Sequence, residues 1–144
     1  EEGDRLSALI GAQVGAIDRL RSAAAATAAA QPAALKLRLK SQLDALLEAT
    51  SSFSEDRLVQ EVALLVTKSD VREELDRLAA HVAGARKLIA EGGAIGRRFD
   101  FLCQEFNREA NTLCSKSADV ELTGIGLELK AVIDQLREQA QNIE

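Results

Sequence analysis

This sequence predicts an all-α fold: an elongated antiparallel helical hairpin or coiled coil, with additional helices packed on it. Three observations carry that expectation. Apolar residues recur at steps of three and four along the chain, the helical period. One proline interrupts 144 residues rich in alanine and leucine, both strong helix formers. No segment shows the two-residue alternation of a half-buried strand.

The elements follow in order. Leu6, Leu9, Ile10, Val14, Ile17 and Leu20 form one stripe on a first helix from about Asp4 to Ala30. Its alanine tail ends at Gln31-Pro32, and Pro32 suits the first turn of the next helix. A second helix, about Ala33 to Ala49, carries Leu35, Leu39, Leu43, Leu46 and Leu47. Lys36, Arg38 and Lys40 on it read as a solvated face or as a contact for an RNA backbone. A third segment opens near Ser52 or Ser54, with Ser52 and Glu55 spaced as a capping box. Asp70 and Glu73 repeat that spacing, so residues up to Glu91 form two helices or one kinked helix, stopped by Gly92-Gly93.

A fourth segment, about Ile95 to Ser115, presents Phe99, Leu102, Cys103, Phe106, Ala110 and Leu113 as its core face. The fifth, about Asp119 to Asn142, alternates threes and fours through Leu122, Ile125, Leu129, Val132, Leu136, Ala140 and Ile143, close to a coiled-coil seam. Gly124 and Gly126 weaken its first turns unless they permit close packing. The long hairpin is expected from residues 1–50 and 119–144, with residues 54–117 packed along it or at one end.

Apolar residues make up 47% of the chain and aromatics 3%, so the core must come from Leu, Ala, Val and Ile. Eighteen basic against 23 acidic residues give a net charge of -5, which argues against a broad non-specific nucleic-acid surface. A local cluster, a metal or a partner domain would have to supply affinity for RNA. Cys103 and Cys114 share one helix about 16 Å apart along its axis, too far for a disulfide. Two free thiols fit a reducing cytoplasm, and no apolar run reaches membrane-spanning length. The opening Glu1-Glu2-Gly3-Asp4 reads as an internal cut with sequence missing upstream.

The chemistry concentrates in Asp100 to Thr112. Glu105 and Glu109 lie one turn apart on the same side of a helix, a pairing that costs free energy unless a cation or an arginine sits between them. Such a pair is a half-site for a hard divalent cation. The alternative is a salt-bridge seam, with Arg97, Arg98 and Arg108 neutralising the carboxylates. Asp100, Gln104, Asn107 and Asn111 form a second polar stripe, which suggests specific hydrogen bonds. His81, the single histidine, shares a helical face with Arg77 and Glu73, and Glu74 is spaced to pair with Arg77. An imidazole beside two carboxylates would suit Mn²⁺ or Mg²⁺. There is no HExxH, no close cysteine pair, no Walker loop, no nucleophile elbow and no Rossmann fingerprint. Lys116, at the end of its helix, fits a phosphate contact or a C-terminal cation cap.

The string from Gly96 to Ser117, Gly-Arg-Arg-Phe-Asp-Phe-Leu-Cys-Gln-Glu-Phe-Asn-Arg-Glu-Ala-Asn-Thr-Leu-Cys-Ser-Lys-Ser, closely resembles the C-terminal signature of the YicC/YloC-like family. So do residues Asp70 to His81 and the ending Leu136 to Glu144. The resemblance implies a bacterial, cytoplasmic, divalent-metal-dependent endoribonuclease that acts on RNA and assembles as a ring-like hexamer. It also implies an N-terminal α/β domain, which this chain does not contain, and neither DNA nor a membrane as a partner. It marks His81, Glu105, Glu109, Glu73, Glu74, Asp100, Arg108 and Lys116 as matching family motif positions without assigning each a role, and of these His81, Glu105, Glu109, Arg108 and Lys116 are the candidate catalytic residues. Glu105, Glu109, His81, Glu74, Glu73 and Asp100 are the candidate ligands for Mn²⁺ or Mg²⁺. A non-catalytic helical module for oligomerisation or RNA adaptation remains the rival reading.

Overall fold

The computed structural model describes residues 2–27, 32–49, 54–117 and 119–142. They form six helices and no strand: α1 (Glu2–Ala26), α2 (Pro32–Ala49), α3 (Glu55–Ser69), α4 (Arg72–Glu91), α5 (Gly96–Lys116) and α6 (Val120–Ala140).

Four of these helices close a ring. α4 packs on α1 and α5, and α6 packs on the same two neighbours. Their apolar stripes meet in one core, with Ile10, Val14 and Ile17 from α1, Leu75, Leu78 and Val82 from α4, Phe99, Phe106 and Leu113 from α5, and Leu129, Ile133 and Leu136 from α6. Each such side chain contributes about 1.5–3 kcal/mol on full burial, so this core dominates the stability. α1 and α6 do pack together, but as one side of a bundle rather than as a free-standing hairpin. The physical reason is that α4 and α5 carry stripes as continuous as those of the outer helices, and a two-helix coil would leave them wet. α2, expected to extend the arm of α1, pairs with α3 instead. No described residue of either belongs to the core.

Local signals explain the boundaries. α3 and α4 are two helices, parted at Asp70-Val71. Ser52 lies outside the described residues, and Ser54 Oγ accepts the Arg57 N–H at 3.3 Å. Asp70 does not complete a capping box with Glu73. Its carboxylate accepts the Arg72 N–H at 3.0 Å, while Glu73 turns to Arg77. The Arg72 guanidinium also pairs with Asp70, and these hydrogen bonds hold the Asp70 carboxyl below its ordinary range. Gly92 and Gly93 have φ of 69° and 74°, which only glycine adopts readily, and they turn the chain from α4 into α5. Asp119 caps α6 by accepting the Leu122 N–H at 2.9 Å. Gly126 allows close packing, since a Cβ there would lie 2.7 Å from Cys114 Sγ and force that side chain to shift, whereas Gly124 faces open space. Leu9 falls off the α1 stripe, and Ile143 lies outside the described residues.

Candidate metal centre

α4 and α5 run antiparallel across the glycine turn, and each offers one stripe of residues to their shared seam. On α4 the stripe is Glu74, Arg77, His81, Gly84 and Leu88; on α5 it is Arg98, Leu102, Glu105, Glu109 and Lys116. The seam is polar at one end. Lys116 Nζ donates to a Glu74 carboxylate oxygen at 2.7 Å and to the Asp70 carbonyl at 3.1 Å. Arg77 Nε donates to both oxygens of Glu109, at 2.9 and 3.0 Å, and its other nitrogens reach Glu73 and Glu74. The seam is apolar at the other end, where Leu102 packs over Gly84.

His81, Glu105 and Glu109 meet between these ends. Each offers a ligand atom, and the three atoms lie within 4.8 Å of one another. The His81 ring stands edge-on to Phe106, with centroids 6.1 Å apart and planes at 87°, so core packing fixes its orientation. Its Nε2 is buried and has no hydrogen-bond partner. A buried polar atom left so costs about 1–3 kcal/mol, which a ligated cation would offset. Glu105 has no ion pair among the described residues. Two carboxylate oxygens and one imidazole nitrogen suit a hard or borderline divalent cation. With bonds of about 2.1 Å its donors would sit no more than about 4.2 Å apart, so a small contraction of the cluster completes the fit.

Burial divides the two glutamates. Glu109 is almost fully buried and Glu105 only partly. Arg77 is therefore the group that supplies the hydrogen bonds and the opposite charge that a carboxylate buried in the seam requires. The hydrogen bond to Glu109 is also the main reason why the Arg77 guanidinium is raised above its ordinary pKa. Glu74 is likewise buried, and one of its two oxygens has no partner beside its bonds to Lys116 and Arg77 on the other.

The remaining sequence-stripe candidates fall elsewhere. Asp100 pairs with Arg137 on α6 at 3.0 Å and with Gln104 at 3.1 Å, away from the cluster. Glu73 is exposed on the outer side of Arg77, and Glu74 belongs to the Lys116 pair. Lys116 ties the end of α5 to the start of α4. Arg108 is exposed, without an ion pair among the described residues, and Arg98 pairs with Glu91 at 3.2 Å. Of the second polar stripe, Asp100 and Gln104 make the expected side-chain hydrogen bonds, whereas Asn107 and Asn111 make none among the described residues. Lys36, Arg38 and Lys40 lie on α2, outside the seam. Sequence reasoning missed Arg77 as the holder of Glu109. Its place on the His81 face was visible, but the partner across the seam was not.

Residues 24–144 match the family described as endoribonuclease YicC-like, C-terminal. The chain is 40% identical over 147 aligned positions to the probable endoribonuclease YicC of Haemophilus influenzae, a match covering 99% of this chain and 49% of that protein. It is 42% identical over 107 positions to the probable endoribonuclease YicC of Clostridioides difficile, covering 74% of this chain and 36% of that one. The chain thus spans about half the length, or less, of these curated relatives.

Proposed function

The chain belongs to the endoribonuclease YicC-like family, as its C-terminal part, and from that premise we propose that it is the helical portion of a divalent-metal-dependent endoribonuclease. The observation that carries the reading is the convergence of His81, Glu105 and Glu109, each offering a ligand atom within 4.8 Å of the others, with the buried His81 Nε2 left without a hydrogen-bond partner. The substrate is RNA, the cation Mn²⁺ or Mg²⁺, and the whole protein is a cytoplasmic hexamer. Among the described residues no helix is long and apolar enough to cross a membrane.

Once bound, the cation would polarise a phosphoryl oxygen of the scissile phosphodiester. The chain's own residues divide the rest of the work. Glu105, Glu109 and His81 hold the ion, and Arg77 positions Glu109. Arg108, exposed one residue before Glu109, is the cation assigned to the phosphate in this reading. If His81 Nε2 is a ligand, its lone pair is engaged and cannot take a proton from the RNA 2'-hydroxyl. Water is then the favoured nucleophile, and the products carry no 2',3'-cyclic phosphate. A cyclic phosphate would instead mark His81 as the base.

One observation favours the rival, a non-catalytic salt-bridge seam: Arg77 already satisfies both Glu109 oxygens. The seam leaves His81 and Glu105 unexplained. Calorimetric Mn²⁺ titration of Glu105→Gln, Glu109→Gln and His81→Ala, with RNA cleavage by the same variants in the full-length protein, separates the two. The metal reading expects weaker ion binding with the fold retained, and cleavage reduced by orders of magnitude. Unchanged values in both glutamate variants would leave the seam as the better account.

A further inference from the structure

The apolar end of the α4–α5 seam opens into a cavity of about 450 Å³ lined by Gly84, Lys87, Leu88, Arg97, Phe101 and Leu102, with Arg98 at its edge. That volume is ordinary for a small-ligand pocket. Its walls are unusual for this molecule. Phe99 and Phe106 are wholly buried, whereas Phe101 is 60% exposed and offers a ring to solvent. Three cations surround it in a chain of net charge -5. Arg98 is engaged with Glu91, but neither Lys87 nor Arg97 has an ion-pair partner among the described residues.

We propose that this groove holds one nucleotide of single-stranded RNA, its base stacked on Phe101 and its phosphates against Arg97 and Lys87. An exposed aromatic ring flanked by unpaired cations is the arrangement that binds single strands without reading sequence. A protein segment would be matched by the apolar floor of Leu88 and Leu102, but not by the cations at the rim. The position points the same way. Gly84 follows His81 by three residues, and Leu102 precedes Glu105 by three, so the floor begins about 4.5 Å along the seam from the metal cluster. A strand with one phosphate at the cluster would therefore run directly into the groove. The inference deepens the nuclease reading and rests on it for the identity of the strand.

The chain contains neither tryptophan nor tyrosine. Phe101→Trp therefore places a single indole in the groove. Titration is done with chelator present, so that nothing is cleaved, using a short oligouridylate and an abasic ribose-phosphate oligomer of equal length. The oligouridylate should quench the indole and the abasic oligomer should not. In the Phe101→Ala chain, oligouridylate affinity followed by anisotropy should fall about 5- to 150-fold, the range for one stacked base. The Lys87→Ala, Arg97→Ala double variant should bind with a shallower salt dependence. Equal behaviour of the two oligomers, or unchanged affinity in Phe101→Ala, overturns the proposal even where full-length protein cleaves RNA normally. Quenching in the titration, together with no cleavage by the metal-loaded full-length protein, upholds the groove and sinks only the nuclease reading.

Discussion

The four-helix ring and the α2–α3 pair are written in the same alphabet, with leucine, valine and alanine at helical spacing, yet they bury it very differently. Leu78 and Leu129 are fully enclosed, while Leu37 and Val59 are more than two-thirds exposed. The difference lies in the number of partners. Every ring helix has two neighbours and closes a core, whereas α2 and α3 have one another. Amphipathic spacing therefore specifies a helix, and burial depends on what the rest of the chain brings to it. The candidate chemistry follows the same division. Unpartnered polar atoms such as His81 Nε2 persist only where surrounding packing fixes them, and all of them that matter to the metal centre lie in the ring.

The comparison can be broken by mutation. Phe106→Ala should cost about 3–5 kcal/mol, because it empties a fully buried site and removes the ring that orients His81. Leu37→Ala or Val59→Ala should change stability by no more than about 0.5 kcal/mol, as for ordinary surface positions. Urea midpoints measure both, and comparable losses in the two regions would show that α2 and α3 belong to the core after all.

Arg77→Ala sharpens it next. Removing one partner of a buried ion pair costs about 3–5 kcal/mol, but the Arg77 side chain is 42% exposed, so roughly 1–3 kcal/mol is expected. Arg77→Lys should recover only part of that, since an ammonium cannot reproduce the planar grip of a guanidinium. Full recovery by lysine would mean that charge alone holds Glu109.

Gly126→Ala should destabilise by about 1–3 kcal/mol through overpacking against Cys114 Sγ, and Cys114→Ala in the same chain should relieve most of the loss. A strictly additive pair would place the clash elsewhere. The smallest effect is chemical. Burial pushes the Cys103 thiol up to about 12, so at neutral pH it is protonated as well as enclosed. Alkylation of the native chain, located by mass spectrometry, should mark Cys114 before Cys103; the opposite order would show that the interior at Cys103 opens readily.

Much of this fold was legible in the sequence, and the limits of that reading are physical. The periodicity of Phe99, Cys103, Phe106, Ala110 and Leu113 identifies the buried face of α5 almost residue for residue, because a strong apolar stripe has one low-energy orientation. Leu9 was misplaced because a helix face is wider than its buried centre. The ring was not legible, since periodicity states that a face is buried without naming what covers it. Glu105 and Glu109 stood out through a one-turn spacing, and the approach of His81 depended on how α4 and α5 align. Asp100 looked equivalent to them and was claimed by Arg137 of α6, a long-range pairing that no local pattern announces.

The glycine turn has a last consequence, best seen as a matter of counting. Contacts across the seam are mirror images about Gly93: Gly84 with Leu102, His81 with Glu105, Arg77 with Glu109, and Asp70 with Lys116, nine, twelve, sixteen and twenty-three residues to either side. Adding or deleting one residue inside either helix between His81 and Glu105 turns everything beyond it by about 100° and shifts it by about 1.5 Å. The cluster would come apart with every one of its side chains still present. Length changes within α2 or α3 leave all four pairs in place. The centre is thus guarded by chain length as much as by residue identity: the segment from His81 to Glu105 has no freedom to grow, and the α2–α3 excursion does.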